Sequence, residues 1–523
     1  MGSDDLKWRR AAFALLAAIT LLRLALLPAL ELAPDEAYYW DWSRRPALGY
    51  YDQGPLIAYL IRLTTAVFGT SEFGVRFGVL LASLGTLLCC YLLAARIFSP
   101  KAGFLTVLLL GATPLMTVGS LIATYDPPMV FFWALAALLL ERALFASPFA
   151  MQRRYWLLAG IAAGLGFLSK HTILLALPCL VLFLLISPPH RFWLRRPEPY
   201  LAFGLIVLLY SGVLYWNWQH HGWTFGHLLF LAKKSSQTPL QRFGDYVGSQ
   251  AALLGPVLFV ALLSPLIQKA GMRDEGRGMR GDAGAIQNPK SKIQNRMFLI
   301  CLGLPVFLFF CLVALKAKVQ GNWAVCAWLT LTVLWSGLLT EMPPKRARRW
   351  LIGAVTTSGL LTVLLLSPGL RWRLGLRLPP DADLSNTTTG WRETAARVAQ
   401  VRNEMAAGGR PVFVAANDYQ YAAEMAFYLP DHPKTQDLFL RFRLTMYAAY
   451  IDELKNHLGE DAVFVNENKS EDKYLRQIFE SVTWDAPYPI YRRPYYNGPI
   501  RTVHIARCRN FRRYVGLEWA EGG

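Results

Sequence analysis

Long apolar runs recur at residues 11–30, 79–95, 102–119, 129–140, 201–215, 297–315, 323–339 and 350–366, and they constrain the fold more than any other feature. A bilayer core is crossed by about 20 mainly apolar residues of helix, fewer where a helix is short or enters a cavity. Backbone polar groups cannot stay unpaired in hydrocarbon, so runs of this kind must be helical. Only 17% of residues are charged, well under the roughly 25% of soluble domains. The chain reads as a polytopic α-helical membrane protein.

Its formal charge of +19 invites a nucleic-acid partner, but the placement of the charge argues against one. Lys and Arg gather in alternate loops: Lys7, Arg9 and Arg10; Arg96 and Lys101; Arg153 and Arg154; Arg191, Arg195 and Arg196; the loop 269–296; and Lys345, Arg346, Arg348 and Arg349. That is the positive-inside pattern, which puts the N-terminus in the cytoplasm and predicts about eleven crossings. The run 11–30 is long for a signal peptide and reads as a retained helix. Residues 31–73 then form an outer loop, whose Trp40, Trp42, Tyr50, Tyr51 and Phe68 predict helices lying at the interface. Between Arg154 and His190 the chain must cross twice, so that pair of helices is short. The stretch 271–296 lacks apolar periodicity and reads as a disordered cytoplasmic insertion.

These features divide the chain into a membrane domain, 1–370, and a soluble domain, 371–523. The second part holds 21 basic against 19 acidic residues and no membrane-length run. Strand-like stretches at 411–415 and 462–465 alternate with helical ones at 391–405 and 448–458, which predicts an α/β domain. Odd crossing parity places it outside the cytoplasm. Six of the seven cysteines sit in apolar runs, and no CxxC or zinc spacing occurs.

The chemistry-bearing residues cluster at the outer ends of helices. Asp35 and Glu36 follow the first apolar run, in Pro34-Asp35-Glu36-Ala37-Tyr38-Tyr39-Trp40. A carboxylate partly withdrawn from water becomes a better base, so Asp35 is a candidate general base; an N-cap is the competing reading. Glu36 beside it is expected to anchor the loop or touch substrate. Asp126, before Pro127 and Pro128, and Asp52, in Tyr51-Asp52-Gln53-Gly54-Pro55, face the same side. Three such acids suit a polyhydroxylated substrate or a divalent ion, and a metal at Asp52 is left open. Lys170 lies at the turn of the short helix pair, where an ionisable residue is functional by default. Arg76, Lys316 and Lys318 break the positive-inside rule and join Lys170 as candidate phosphate contacts. Arg23 reads equally as a snorkelling side chain or a functional one. His220 and His221 read as interfacial anchors or headgroup contacts.

The same residues resemble a known group. Asp35-Glu36-Ala37-Tyr38-Tyr39-Trp40 with Gly49-Tyr50-Tyr51-Asp52-Gln53-Gly54-Pro55 resembles the first outer loop of bacterial C-type glycosyltransferases. That superfamily includes protein O-mannosyltransferases, the aminoarabinose transferases of lipid A and the galacturonosyltransferases of rhizobial lipopolysaccharide. Gly166-Phe167-Leu168-Ser169-Lys170-His171-Thr172, Trp216-Asn217 with His221-Gly222-Trp223, Lys318-Val319-Gln320-Gly321-Asn322-Trp323 and Asn417-Asp418-Tyr419-Gln420-Tyr421 extend the likeness over most of the chain. The resemblance implies a polyprenyl-phosphate-linked sugar donor, an inverting single displacement and a cavity at the outer leaflet of a bacterial inner membrane. It implies catalytic roles for Asp35 and Asp126 and a contact from Lys170 to the leaving phosphate; Arg76 and Lys318 stand beside Lys170 as candidate donor-phosphate contacts, and Glu36, Tyr39, Asp52, His171 and His221 as candidate substrate contacts. The acceptor is a lipid, a glycan or a protein. One departure is visible: aminoarabinose transferases carry Glu-Lys-Pro where this chain has Asp52-Gln53-Gly54-Pro55. A transporter or flippase of a lipid-linked substrate is the rival class. It predicts acids near helix midpoints and repeated halves, whereas here the acids lie at helix ends and no repeat is seen.

Overall fold

The computed structural model describes residues 2–146, 148–231, 237–267, 289–440 and 444–513. The helices in the first third are α1 (Ser3–Leu26), α2 (Pro34–Arg44), α3 (Leu56–Phe68), α4 (Glu72–Ile97), α5 (Pro100–Ala112), α6 (Pro114–Leu121), α7 (Asp126–Phe145) and α8 (Phe149–Phe167). Then come α9 (Ala176–Ile186), α10 (Pro197–Gln219), α11 (Trp223–Leu231), α12 (Pro239–Leu254), α13 (Pro256–Ile267), α14 (Pro289–Ala314), α15 (Val325–Glu341), α16 (Pro344–Leu366) and α17 (Pro368–Arg373). Most of the stretch 271–296 expected to be a disordered insertion lies outside the described residues, and its end, from Pro289, belongs to α14.

Among the described residues seven helices are long and apolar enough to cross a membrane, or nine if each of two bent pairs is one span. The expected eleven therefore exceeds what length and composition support. Both bends have local causes. Thr113 leaves helical dihedrals and caps α6 through its hydroxyl, while Pro114 has no N–H to continue α5, and the two helices meet at 68°. Gly255 takes φ +89 ahead of Pro256, turning α12 into α13 by 104°. The helix α15 is the most enclosed span, 83% buried over its core window, whereas α1 and α16 are 22% and 11% buried and line the perimeter. An apolar core around Trp133, Trp156, Trp328 and Trp335 fills the space between the spans.

Beyond the membrane helices the chain forms α18 (Trp391–Ala406), α19 (Tyr419–Tyr428) and α20 (Asp472–Ile478) with strands β1 (Val412–Ala416), β2 (Gln436–Asp437), β3 (Asp461–Asn466), β4 (Phe479–Trp484), β5 (Tyr488–Tyr491) and β6 (Pro499–Phe511). The sheet runs β2-β1-β3-β6-β4, with β5 also on β6; β2, β1 and β3 are parallel, and β6 is antiparallel to its neighbours. β3 is buried at every position, as a central strand flanked on both faces should be. The helix expected at 448–458 is instead a 3-10 run, Met446–His457. It opens with an i to i+3 bond, Ala448 N–H to Thr445 O, and the Met446 N–H, which has no partner within the helix, donates to the Tyr38 hydroxyl.

The two parts are not separate in packing. One apolar core contains Tyr38, Trp40, Trp42 and Tyr50 from the first outer loop together with Trp391, Phe427, Tyr447 and Val463. Both α2 and α3, the interfacial helices expected in 31–73, are present, and α2 packs against α19.

Candidate active site

Two neighbouring carboxylates on α2 meet opposite environments. Pro34, Asp35 and Glu36 form its first turn, and successive side chains on a helix point about 100° apart. Glu36 turns inward and is fully buried. Its Oε1 accepts from Arg76 Nε at 2.8 Å and Ala123 N–H at 2.7 Å; its Oε2 accepts from Arg76 Nη2 at 2.6 Å and Ala33 N–H at 2.8 Å. The capping expected of Asp35 is thus performed by Glu36, which satisfies an otherwise unpaired N–H at the start of α2. Arg76 gives its remaining bonds to Leu27, Leu30 and Glu31 carbonyls, each at 2.8 Å. All of its donors are used and it is 1% exposed. The expected roles of Arg76 at the donor phosphate and of Glu36 at the substrate are corrected accordingly: they form a buried pair that joins α4 to the outer loop.

Asp35, by contrast, is exposed. The Tyr419 hydroxyl, at the start of α19, donates to its Oδ1 at 3.0 Å. Asp52 accepts from the Tyr38 hydroxyl at 3.0 Å, and that hydroxyl accepts in turn from Met446 N–H at 2.6 Å. The region beyond the membrane helices therefore braces both acids. His227 Nε2 stands 3.5 Å from the other Asp52 oxygen. Sequence reasoning misses His227, although its i+4 spacing from Trp223 puts the two on one face of α11.

Between the acids lie Tyr39 and Tyr125, with rings 5.5 Å apart. Asp35 and Asp52 act electrostatically on both, and Asp126 on Tyr125. Burial first, then Asp52 for Tyr38 and Tyr125 followed by Asp35 and Asp52 for Tyr39, push both hydroxyls well above their ordinary range, so both remain neutral.

Asp126 begins α7 and is held from two sides. Lys170 Nζ lies 2.7 Å from Oδ1, and Asn322 Nδ2 donates to Oδ2 at 3.0 Å. Lys170 is 5% exposed, with Tyr125 and Trp323 rings 5.0 and 5.9 Å from its ammonium. This aromatic cover retains the cation while keeping bulk water away. The turn that carries Lys170 is fixed by Ser169 Oγ donating to Tyr125 O at 2.7 Å. His171 bonds Gln53 Oε1 at 2.9 Å and Tyr210 OH at 2.7 Å, so it ties the Asp52-Gln53 turn to this corner. Gly54 completes the seam: a Cβ there would sit 2.2 Å from Leu168 O.

Below the corner an apolar cavity of about 210 Å³ opens, lined by Asp126, Asn322, Thr86, Met116, Val130 and Leu253 among others. The α6 and α12 segments beside the two helix bends supply part of its wall. Lys318 is exposed on the connection before Asn322, and His221 is exposed on the turn after α10, at φ +52. Neither makes an ion pair or hydrogen bond to the three acids among the described residues. Arg23, read two ways from sequence, is 3% exposed and bonds Thr117 Oγ1 at 3.2 Å, so it does not snorkel. Among the described residues no three His, Cys, Asp or Glu side chains come together as a metal site. Asp52 and His227 supply two such groups.

Residues 52–216 match the dolichyl-phosphate-mannose-protein mannosyltransferase family. The fold is that of ArnT from Cupriavidus metallidurans bound to undecaprenyl phosphate, with a TM-score of 0.63 over 94% of this chain and 97% of that one at 16% identity. In fold, and over part of its sequence, the chain is similar to the C-type glycosyltransferases. The lipid A galacturonosyltransferase RgtD of Rhizobium johnstonii is 29% identical over 343 residues, 65% of this chain and 67% of that protein. The undecaprenyl phosphate-alpha-4-amino-4-deoxy-L-arabinose arabinosyl transferase of Pseudomonas aeruginosa is 33% identical over 189 residues, about a third (34%) of each chain. The matched family segment carries Asp52, Asp126 and Lys170, while Tyr419 lies outside it.

Proposed function

We propose that this protein transfers a sugar, with inversion, from a polyprenyl-phosphate donor to an envelope acceptor at the outer face of a bacterial inner membrane. The observation that carries the reading is the apolar cavity that ends on Asp126, whose carboxylate is paired with the enclosed Lys170. A lipid-linked phosphate needs this combination: hydrocarbon-compatible walls and a cation at the mouth. The likeness to RgtD over two thirds of that protein supports lipid A as the acceptor. The exchange of Glu-Lys-Pro for Asp52-Gln53-Gly54-Pro55 speaks against aminoarabinose as the sugar.

In this mechanism an acceptor hydroxyl attacks the anomeric carbon from the face opposite the phosphate. The new C–O bond forms as the bond to the phosphate oxygen breaks, and the electron pair leaves with the polyprenyl phosphate. Asp35 takes the hydroxyl proton. Lys170 meets the charge that grows on the leaving phosphate, in a site with little water. Asp126 and Asn322 hold that lysine in place, and Tyr39 and Asp52 orient the sugar hydroxyls. The positive-inside pattern supports a cytoplasmic N-terminus and a periplasmic 371–523 region above the 1–370 membrane region.

The test is transfer from a purified lipid-linked donor to lipid A in proteoliposomes. Asp35→Asn is expected to abolish transfer while donor binding survives, and Lys170→Ala to weaken donor binding. Full activity in Asp35→Asn would end this assignment.

A further inference from the structure

A second pocket lies where the last span ends, and of the reading above it rests on the sidedness alone. The helix α16 is the least enclosed span, so lipid surrounds it up to Leu366. From Pro368 the chain makes the short helix α17, turns at Gly375 with φ +73, and runs on to Pro379. This segment alternates apolar and basic side chains. Leu374, Leu376 and Leu378 are 58%, 52% and 41% exposed, and no protein covers them. Successive uncovered leucines beside a span are suited to acyl chains rather than water.

The charges next to them are unequal. Arg371 is neutralised: its Nη2 contacts both Asp383 oxygens at 2.7 and 2.8 Å, and Tyr496 OH donates to the same carboxylate at 2.7 Å. Burial opposes ionisation of Asp383, but Ser385, Arg371 and Tyr496 bonds carry its carboxyl down to about 2, so that wall is fixed. Arg373 and Arg377 are exposed and form no ion pair among the described residues. On the outer face, where the sidedness above puts them, such arginines run against the positive-inside rule. Between these groups lies a cleft of about 290 Å³, walled by Trp372, Arg377, Tyr495 and Tyr496, with the Trp372 and Tyr495 rings 6.4 Å apart.

We infer that this cleft binds the phosphate-bearing headgroup of an anionic membrane lipid, with Arg377 in the cleft and Arg373 in the adjoining groove, which shares Trp372 and Tyr495, on the phosphate and the leucines against its chains. Arg–phosphate recognition supplies the charge, and the aromatic pair sets the depth in the interface. A nucleic-acid partner would leave the leucines uncovered.

The experiment uses the full chain in neutral detergent, titrated with phosphatidylglycerol, phosphatidylcholine or inorganic phosphate, with bound lipid counted by native mass spectrometry. Phosphatidylglycerol is expected to be retained at least tenfold better than phosphatidylcholine, and R373Q/R377Q to lose that preference with an unchanged melting midpoint. Asp35→Asn is expected to retain the lipid as wild type does, which separates this site from the transfer reaction. Equal retention of both lipids, or an unaltered preference in R373Q/R377Q, overturns the proposal. Protection by inorganic phosphate without lipid retention also overturns it, assigning the cleft to a free anion.

Discussion

Replacing Tyr419 by Phe removes one oxygen and asks whether the region beyond the membrane helices takes part in the chemistry. The hydroxyl donates to Asp35 at 3.0 Å, and its ring lies 4.5 Å from that of Tyr38, a contact that will hold the substituted phenyl ring in the same place. A hydrogen bond to a charged group contributes about 1.5–3 kcal/mol when buried. Asp35 is exposed, so water replaces part of the loss and about 1 kcal/mol remains. At 1.36 kcal/mol per factor of ten, that is roughly a five-fold fall in kcat/KM. The acidic limb of the pH–rate profile should move upward, because the carboxylate has lost a donor that favours its ionised form. The assay is sugar transfer by the purified protein across pH, with the thermal midpoint in detergent as control. An unmoved acidic limb with kcat/KM unchanged would refute the coupling. So would a loss of activity that merely follows a lowered midpoint.

Three further outcomes follow from the geometry. Gly54→Ala sets a Cβ 2.2 Å from Leu168 O; overpacking costs about 1–3 kcal/mol and pushes Gln53 off His171, so transfer should fall more than tenfold. Gly248→Ala, with open space around its Cβ, should leave transfer intact, and equal effects of the two would defeat the argument. Arg76→Met strands the buried Glu36 carboxylate and should cost about 3–5 kcal/mol. The midpoint should partly recover in Arg76→Met/Glu36→Gln, and a harmless single variant would show the pair to be dispensable. Burial pushes the Asp437 carboxyl up to about 7, against the Phe439 N–H bond. Its unfolded value is about 3.9, so its stabilising contribution is full below about pH 4 and is lost as pH rises through about 7. Asp437→Asn should therefore melt like wild type at pH 4.5 and several degrees higher at pH 8; a difference constant across pH would contradict this.

Sequence reading reaches what local rules control. Apolar length marks the spans, and aromatics around Asp35 and Asp52 mark the interfacial helices. Thr113-Pro114 and Gly255-Pro256 are breaks that local rules do signal, yet continuous hydropathy across 102–119 masks the first of them. Side-chain partners are another matter. Glu36 meets Arg76 across 40 residues, Asp126 meets Asn322 across 196, and Tyr419 meets Asp35 across 384. Nothing in a single chain's periodicity encodes such pairings, because they depend on how helices and loop are stacked. Outer-face charge alone therefore makes Arg76 look like a ligand contact, when its partner is a carboxylate of its own chain.

The adjacent pair Asp35-Glu36 shows how that stacking separates structure from chemistry. Both residues are acidic, both occupy the first turn of α2, and composition treats them alike. One residue's rotation decides their fates. Glu36 points at α4, where Arg76 and two backbone N–H groups saturate its oxygens. A carboxylate so engaged has its acceptor sites taken by its own chain and is structural. Asp35 points outward, and Tyr419 restrains its orientation without closing it off. The buried acid makes the exposed one useful: by clamping the loop to α4 and to Ala123, three residues before Asp126, Glu36 fixes where Asp35 stands relative to the second carboxylate. A shift of one residue in the register of α2 would bury Asp35 where Glu36 now stands and bring Pro34 to the exposed position, leaving no base at the mouth of the cavity.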